Sequence, residues 1–129
     1  MRMSRFPSGR APGLGAIIAG YAFLMLCAAP AWAGVGQDLY EAQCAGCHTL
    51  TGHSTASGPS LKGVVWRKIA DLRDFKYSAG LQAQVGTWSP DRLDAYLRNT
   101  QSFAPGTDMF WNITDAAERK AIIGFLAHR

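Results

Sequence analysis

Cys44-Ala45-Gly46-Cys47-His48 is the stretch on which the reading of this chain turns. Residues three apart lie on one side of a helical turn, so the two thiols face the same way and the histidine follows directly. Thiols so placed can each add to one vinyl group of a haem, and the adjacent imidazole can then turn a ring nitrogen to the iron. C-x-x-C-H is therefore a direct signal for covalent c-type haem attachment. A thioredoxin-like C-x-x-C needs a βαβ context, which the flanking sequence lacks. A structural zinc site takes four ligands. Downstream of the motif there is no further cysteine, and the remaining histidines, His53 and His128, stand at a spacing that matches no common zinc pattern.

Upstream of the motif the chain changes character. Arg2, Arg5 and Arg10 make Met1–Gly13 basic, Leu14–Ala29 is apolar, and Pro30-Ala31-Trp32-Ala33 supplies small residues in an A-x-A pattern. This is the layout of a secretory signal peptide, cut after Ala33. The competing reading is an uncleaved anchor, because the uncharged stretch Leu14–Trp32 is just long enough to span a bilayer. Cys27 follows Leu26, which is too large for the position before a lipid-bearing cysteine, and it leaves with the leader. The expected organisation is thus a leader over residues 1–33 and one domain over 34–129, exported to the bacterial periplasm or tethered to the periplasmic face of the inner membrane.

Removing the leader changes the charge. The full chain carries 13 Lys+Arg against 9 Asp+Glu, but three of the arginines are in the leader and none of the acids is. The remaining net charge of +1 leaves no electrostatic footprint for nucleic acid. A domain of this size has a small core and gains from a staple such as a bound cofactor.

The rest of the chain reads as all-α, about four to five helices joined by long loops. Val35, Leu39 and Tyr40 fall on one helical face leading into Cys44. Thr49–Ser60 is rich in Thr, Ser and Gly and reads as loop, Leu61–Asp74 is mixed, and Ser78–Gln84 holds a short helix. Ser89-Pro90-Asp91 is a helix start, with an N-cap, a proline at the first position and an acid after it. Leu93, Tyr96 and Leu97 continue at i, i+3, i+4 spacing. Asn99–Asn112 carries Pro105-Gly106 and reads as a second long loop. Thr114-Asp115 opens the last helix, with Ile122, Phe125 and Leu126 on its buried side.

A six-coordinate iron needs a second axial ligand. Met109 is the one methionine after the leader, it is distant from His48 in sequence, and a thioether is a soft donor that favours ferrous iron. Other readings stay open: Met109 as a core filler, His53, five residues from His48, and the penultimate His128.

From about Val35 to Ala127 the chain resembles the class I c-type cytochromes, and within them the mitochondrial-type and bacterial cytochrome c2-like group. Gly36 and Tyr40 resemble the glycine and aromatic of that family's first helix, and Phe125 the aromatic of its last helix. Cys44–Thr49 is similar to the haem motif and Gly58-Pro59-Ser60-Leu61 to the G-P-x-L segment. The resemblance implies that the Pro59 carbonyl accepts a hydrogen bond from the axial histidine. It implies that Arg67, Tyr77 and Trp88 surround the haem propionates, on the matches in Phe75-Lys76-Tyr77-Ser78 and Gly86-Thr87-Trp88. It further implies that Tyr96 stands on the methionine side, and that Pro105-Gly106-Thr107-Asp108-Met109 is the loop presenting an axial Met109.

The implied function is a non-enzymatic one-electron carrier with a single haem c, monomeric, serving redox partners of the dehydrogenase, cytochrome bc1-type or terminal oxidase class. The alternative is a haem c subunit of a periplasmic dehydrogenase or other redox complex. A membrane-tethered carrier and a ligand-binding or peroxidatic haem with a labile sixth site complete the set. The chain departs from the mitochondrial pattern at the surface. Gln43, Gln101, Ser102 and Asp108 stand where lysines ring the haem edge, and Leu81 replaces a polar residue. Asn112-Ile113-Thr114 is one residue shorter than usual, and Trp111 replaces a phenylalanine.

Overall fold

The computed structural model describes Gly9 and residues 32–129. The predicted leader lies outside the described residues, apart from Gly9 and its last two residues, which open the first helix. Five helices follow one another among the described residues: α1 Trp32–Gln43, α2 Ala79–Gln82, α3 Pro90–Arg98, α4 Thr100–Phe103 and α5 Ala116–Leu126. None is long and apolar enough to cross a membrane.

The frame is α1 crossing α5, with α3 packed on α5. Gly36 makes the crossing possible. A Cβ there would strike the Ala121 carbonyl and stand 2.8 Å from the Phe125 Cβ. One turn on, the Tyr40 and Phe125 rings meet at 5.5 Å between centroids. The expected apolar face of α1 is half right: Tyr40 is buried and Leu39 packs on the core, but Val35 is 52% exposed. Gly36 takes its place against α5, because backbone contact there leaves no room for a side chain.

The helix starts follow the local sequence. Ser89 Oγ accepts from the Arg92 N–H at 3.2 Å and Pro90 occupies the first turn of α3, where a missing N–H costs nothing. Leu93, Tyr96 and Leu97 are its buried residues. Asp115 caps α5 by accepting from Ala117 and Glu118 N–H at 2.7 and 3.0 Å, and Ile122, Ile123, Phe125 and Leu126 point inward.

The segment read as one long loop from Asn99 to Asn112 contains α4. Asn99 Oδ1 accepts from the Ser102 N–H at 2.9 Å and starts a single turn, too short to show a periodicity. The mixed stretch 61–74 forms no helix. It lies antiparallel to 86–88 through one bridge, Lys68 to Thr87, flanked by Trp88 N–H to Arg67 O at 2.8 Å and Ile69 N–H to Gly86 O at 3.0 Å. This bridge sets Arg67 beside Trp88.

Candidate functional site

The C-x-x-C-H residues form the turn that ends α1. Cys44 N–H and Ala45 N–H both donate to the Tyr40 carbonyl, at 2.8 and 3.0 Å, and His48 N–H donates to Cys44 O at 2.9 Å. Cys44 is buried, Cys47 is exposed, and neither is in a disulfide. Burial pushes the Cys44 thiol up to about 11, so it is protonated at neutral pH. Tyr40 returns from α1 to donate its hydroxyl to His48 O at 3.1 Å, which ties the helix to the histidine.

His48 is held by its outer nitrogen. Nδ1 lies 2.8 Å from the Pro59 carbonyl. A carbonyl can only accept, so Nδ1 carries the proton and Nε2 keeps its lone pair. Burial lowers the imidazole's affinity for a proton, and the bond to Pro59 pulls the other way. Gly58 lets the loop come this close: a Cβ there would sit 2.7 Å from the His48 ring and 2.9 Å from Cys47 O. Thr55 closes the same loop, donating to Cys47 O at 2.6 Å and accepting from Gly58 N–H at 3.0 Å. Sequence reasoning missed Thr55; a threonine in a Thr/Ser/Gly run carries no signal of its partner.

Met109 is partly buried and packs against the core. The stretch leading to it is tied to α3 and α4 through Thr107, which is buried. Thr107 Oγ1 pairs with the Tyr96 hydroxyl at 2.9 Å, and Thr107 O accepts from Gln101 Nε2 at 2.8 Å. Burial holds the Tyr96 phenol above its ordinary value, so it stays a neutral hydrogen-bonding group. Gln101 thus fastens the methionine segment. Gly80 lies under the segment as well, since a Cβ on it would meet the Pro105 carbonyl and, at 2.7 Å, the Thr107 nitrogen. Nothing in the sequence around α2 pointed to Gly80. Phe110 and Trp111, directly after Met109, are 78% and 54% exposed. His53 and His128, the other sixth-ligand readings, are both exposed.

The third group is Arg67, Tyr77, Ser78 and Trp88. Arg67 donates to Ser60 O at 2.8 Å and Lys62 O at 3.0 Å, while its buried Nε has no partner. Tyr77 is half-buried, packs edge-on against Phe75 at 5.1 Å and lies within electrostatic reach of Arg67. Ser78 Oγ is buried and unpartnered too, although Ser78 sits at the α2 N-cap position. Trp88 is buried in a ring cluster with Tyr96 and Phe103, at 5.1 and 5.7 Å.

These residues fit a haem. Two free thiols three apart, an imidazole with one nitrogen committed and the other available, and buried donors lacking an acceptor suit a covalent iron porphyrin with acidic side chains. Among the described residues, no three His, Cys, Asp or Glu side chains converge as a site made of protein donors alone would require.

Known proteins point the same way. The family model described as Cytochrome c matches residues 34–129. The chain is 39% identical over 92 residues to a Cytochrome c-type cyt cy of Rhodobacter capsulatus, an alignment covering 70% of this chain and 46% of that protein. It is 37% identical over 95 residues to a Cytochrome c of Tetrahymena pyriformis, covering 73% of this chain and 85% of the relative. Among solved structures it is similar to cytochrome cH from Methylobacterium extorquens, with a TM-score of 0.69 and 30% identity over 75% of this chain and 98% of that one. The chain therefore belongs to the cytochrome c family of small all-α, haem-based electron-transfer proteins, which are carriers and not enzymes.

Proposed function

We propose that this chain is a one-electron carrier in which Cys44 and Cys47 hold haem c covalently and His48 and Met109 ligate its iron. When bound, haem c supplies an iron that alternates between ferrous and ferric states, at a potential tuned by axial ligand, hydrogen bonding and burial. The observation that carries the reading is the 2.8 Å contact from His48 Nδ1 to Pro59 O, immediately after the two cysteines. It fixes the ring's tautomer and orientation and leaves Nε2 for the metal. Met109 offers a soft sulfur from a segment fastened through Thr107. Arg67, Tyr77, Ser78 and Trp88 offer the donors that buried propionates require. With protein ligands on both sides, no substrate reaches the iron. The work of the chain is to exclude water and hold one geometry in both oxidation states.

In this reading residues 1–33 are an export leader removed after Ala33, and the mature chain works in the periplasm. It stays at the periplasmic face of the inner membrane if the leader is retained. Its partners are a dehydrogenase, a cytochrome bc1-type complex or a terminal oxidase. Exposed Phe110 and Trp111 beside Met109, on a mature chain of near-neutral charge, favour a second reading as a haem subunit in lasting apolar contact with such a partner. Size exclusion of native extract separates the two, since a free carrier elutes alone. Met109→Ala tests the ligation. The variant loses the weak far-red sulfur-to-iron band, falls in potential and binds cyanide or carbon monoxide readily. An unchanged spectrum and potential would contradict Met109 as ligand.

A further inference from the structure

Arg119 is a guanidinium in the interior, 4% exposed. From α5 it reaches two places at once. Nε donates to Asp94 Oδ1 of α3 at 2.7 Å, and Nη1 donates to the carbonyls of Ile113 and Thr114, both at 2.8 Å. Ile113 N–H in turn donates to Leu97 O at 2.8 Å, and Asn112 Oδ1 accepts from Thr100 N–H at 2.9 Å. The chain around Met109 is therefore held at two posts. Thr107 is tied to Tyr96 and Gln101 before it, and residues 112–114 are tied to Thr100, Leu97 and Arg119 after it. Asp108–Trp111 is strung between them, steadied by one long contact from Met109 N–H to Thr107 Oγ1 at 3.4 Å.

The downstream post depends on a charge. A buried guanidinium without a counter-charge is unstable and moves toward water. Asp94, whose side chain is 37% exposed, supplies that counter-charge. We propose that Asp94, by keeping Arg119 in the interior, is a positioning residue for Met109, and that losing its charge frees the Met109 segment without unfolding the protein. The proposal rests on Met109 as the axial ligand.

The test uses the ferric holoprotein, with imidazole as the competing ligand and the far-red sulfur-to-iron band as the marker of Met109. Asp94→Asn binds imidazole about fivefold or more tightly than wild type, and Asp94→Glu, which keeps the charge, restores the wild-type affinity. Phe125→Leu loosens the α1–α5 crossing instead. It lowers the denaturation midpoint by far-UV circular dichroism and leaves imidazole affinity unchanged. Two results overturn the proposal: Asp94→Asn lowering the midpoint with no change in affinity, or Phe125→Leu raising affinity as much as Asp94→Asn. A wild-type protein lacking the far-red band would instead overturn the ligation reading itself, and the proposal with it.

Discussion

Tyr96 and Thr107 share a buried hydrogen bond of 2.9 Å, and Thr107 stands two residues before Met109. The bond joins the middle of α3 to the segment carrying the sulfur. Tyr96→Phe keeps the ring in its cluster with Trp88 and Phe103 and removes the hydroxyl. Thr107 Oγ1 then loses its close partner in the interior, which costs about 1–2 kcal/mol. The expected outcome is a fall of that size in denaturation free energy. The reduction potential falls as well, because a sulfur held less firmly favours ferrous iron less. Chemical denaturation and redox titration check the two parts separately.

Gly58→Ala strikes at His48, the other ligand in the proposed carrier. Its Cβ would stand 2.7 Å from the His48 ring and 2.9 Å from Cys47 O, and neither the backbone nor a ring tied to the Pro59 carbonyl has room to yield. The variant is destabilised by about 1–3 kcal/mol, the usual cost of overpacking. Its potential shifts as the His48–Pro59 bond is displaced. A variant with wild-type stability and potential would show that the loop has room the structure does not give it.

The α1–α5 crossing permits a cleaner test, away from the proposed ligands. Gly36→Ala places a methyl against the Ala121 carbonyl and the Phe125 Cβ. Denaturation should show a loss of about 1–3 kcal/mol, while the reduction potential stays at the wild-type value. A large change in potential would mean that the helix crossing and the iron site are not separable.

Acid should release the tie between Asp74 and Ser54. Asp74 accepts from the Ser54 N–H at 2.8 Å and the Ser54 hydroxyl at 2.9 Å, and these bonds hold its carboxyl below the ordinary range. Its folded value thus lies below the unfolded one of about 3.9. The tie contributes fully above that value and is lost as pH falls through the depressed folded value. Asp74→Asn should therefore show a shallower fall of Tm between about pH 5 and pH 2 than wild type. Parallel Tm curves would show that the Ser54 bonds confer no preference for the charged form.

Much of this was legible in the residues because the signals are local. Ser89-Pro90 starts α3 and Asp115 caps α5 as their side-chain chemistry dictates. The pairing of Tyr40 with Phe125 needed the family resemblance, since 85 residues separate the two rings. What escaped was of two kinds. The turn at Thr100–Phe103 is shorter than any periodicity could reveal, and its cap lies inside a segment marked as loop by Pro105-Gly106. Contacts such as Arg119 with Asp94, Gly80 under Thr107 and Thr55 on Cys47 join residues that no spacing rule connects. Val35 was misplaced because helical periodicity cannot see that backbone contact at Gly36 takes the space a valine would need.

The proposed carrier holds a single covalent haem with His48 and Met109 on its iron. The direct test is the visible spectrum of the purified holoprotein, oxidised and reduced, before and after acid–acetone extraction. The expected result is that haem stays with the polypeptide and that the oxidised protein shows the weak far-red sulfur-to-iron band. Haem that extracts into acetone would contradict the covalent link through Cys44 and Cys47. Retained haem without that band would contradict Met109 as the sixth ligand.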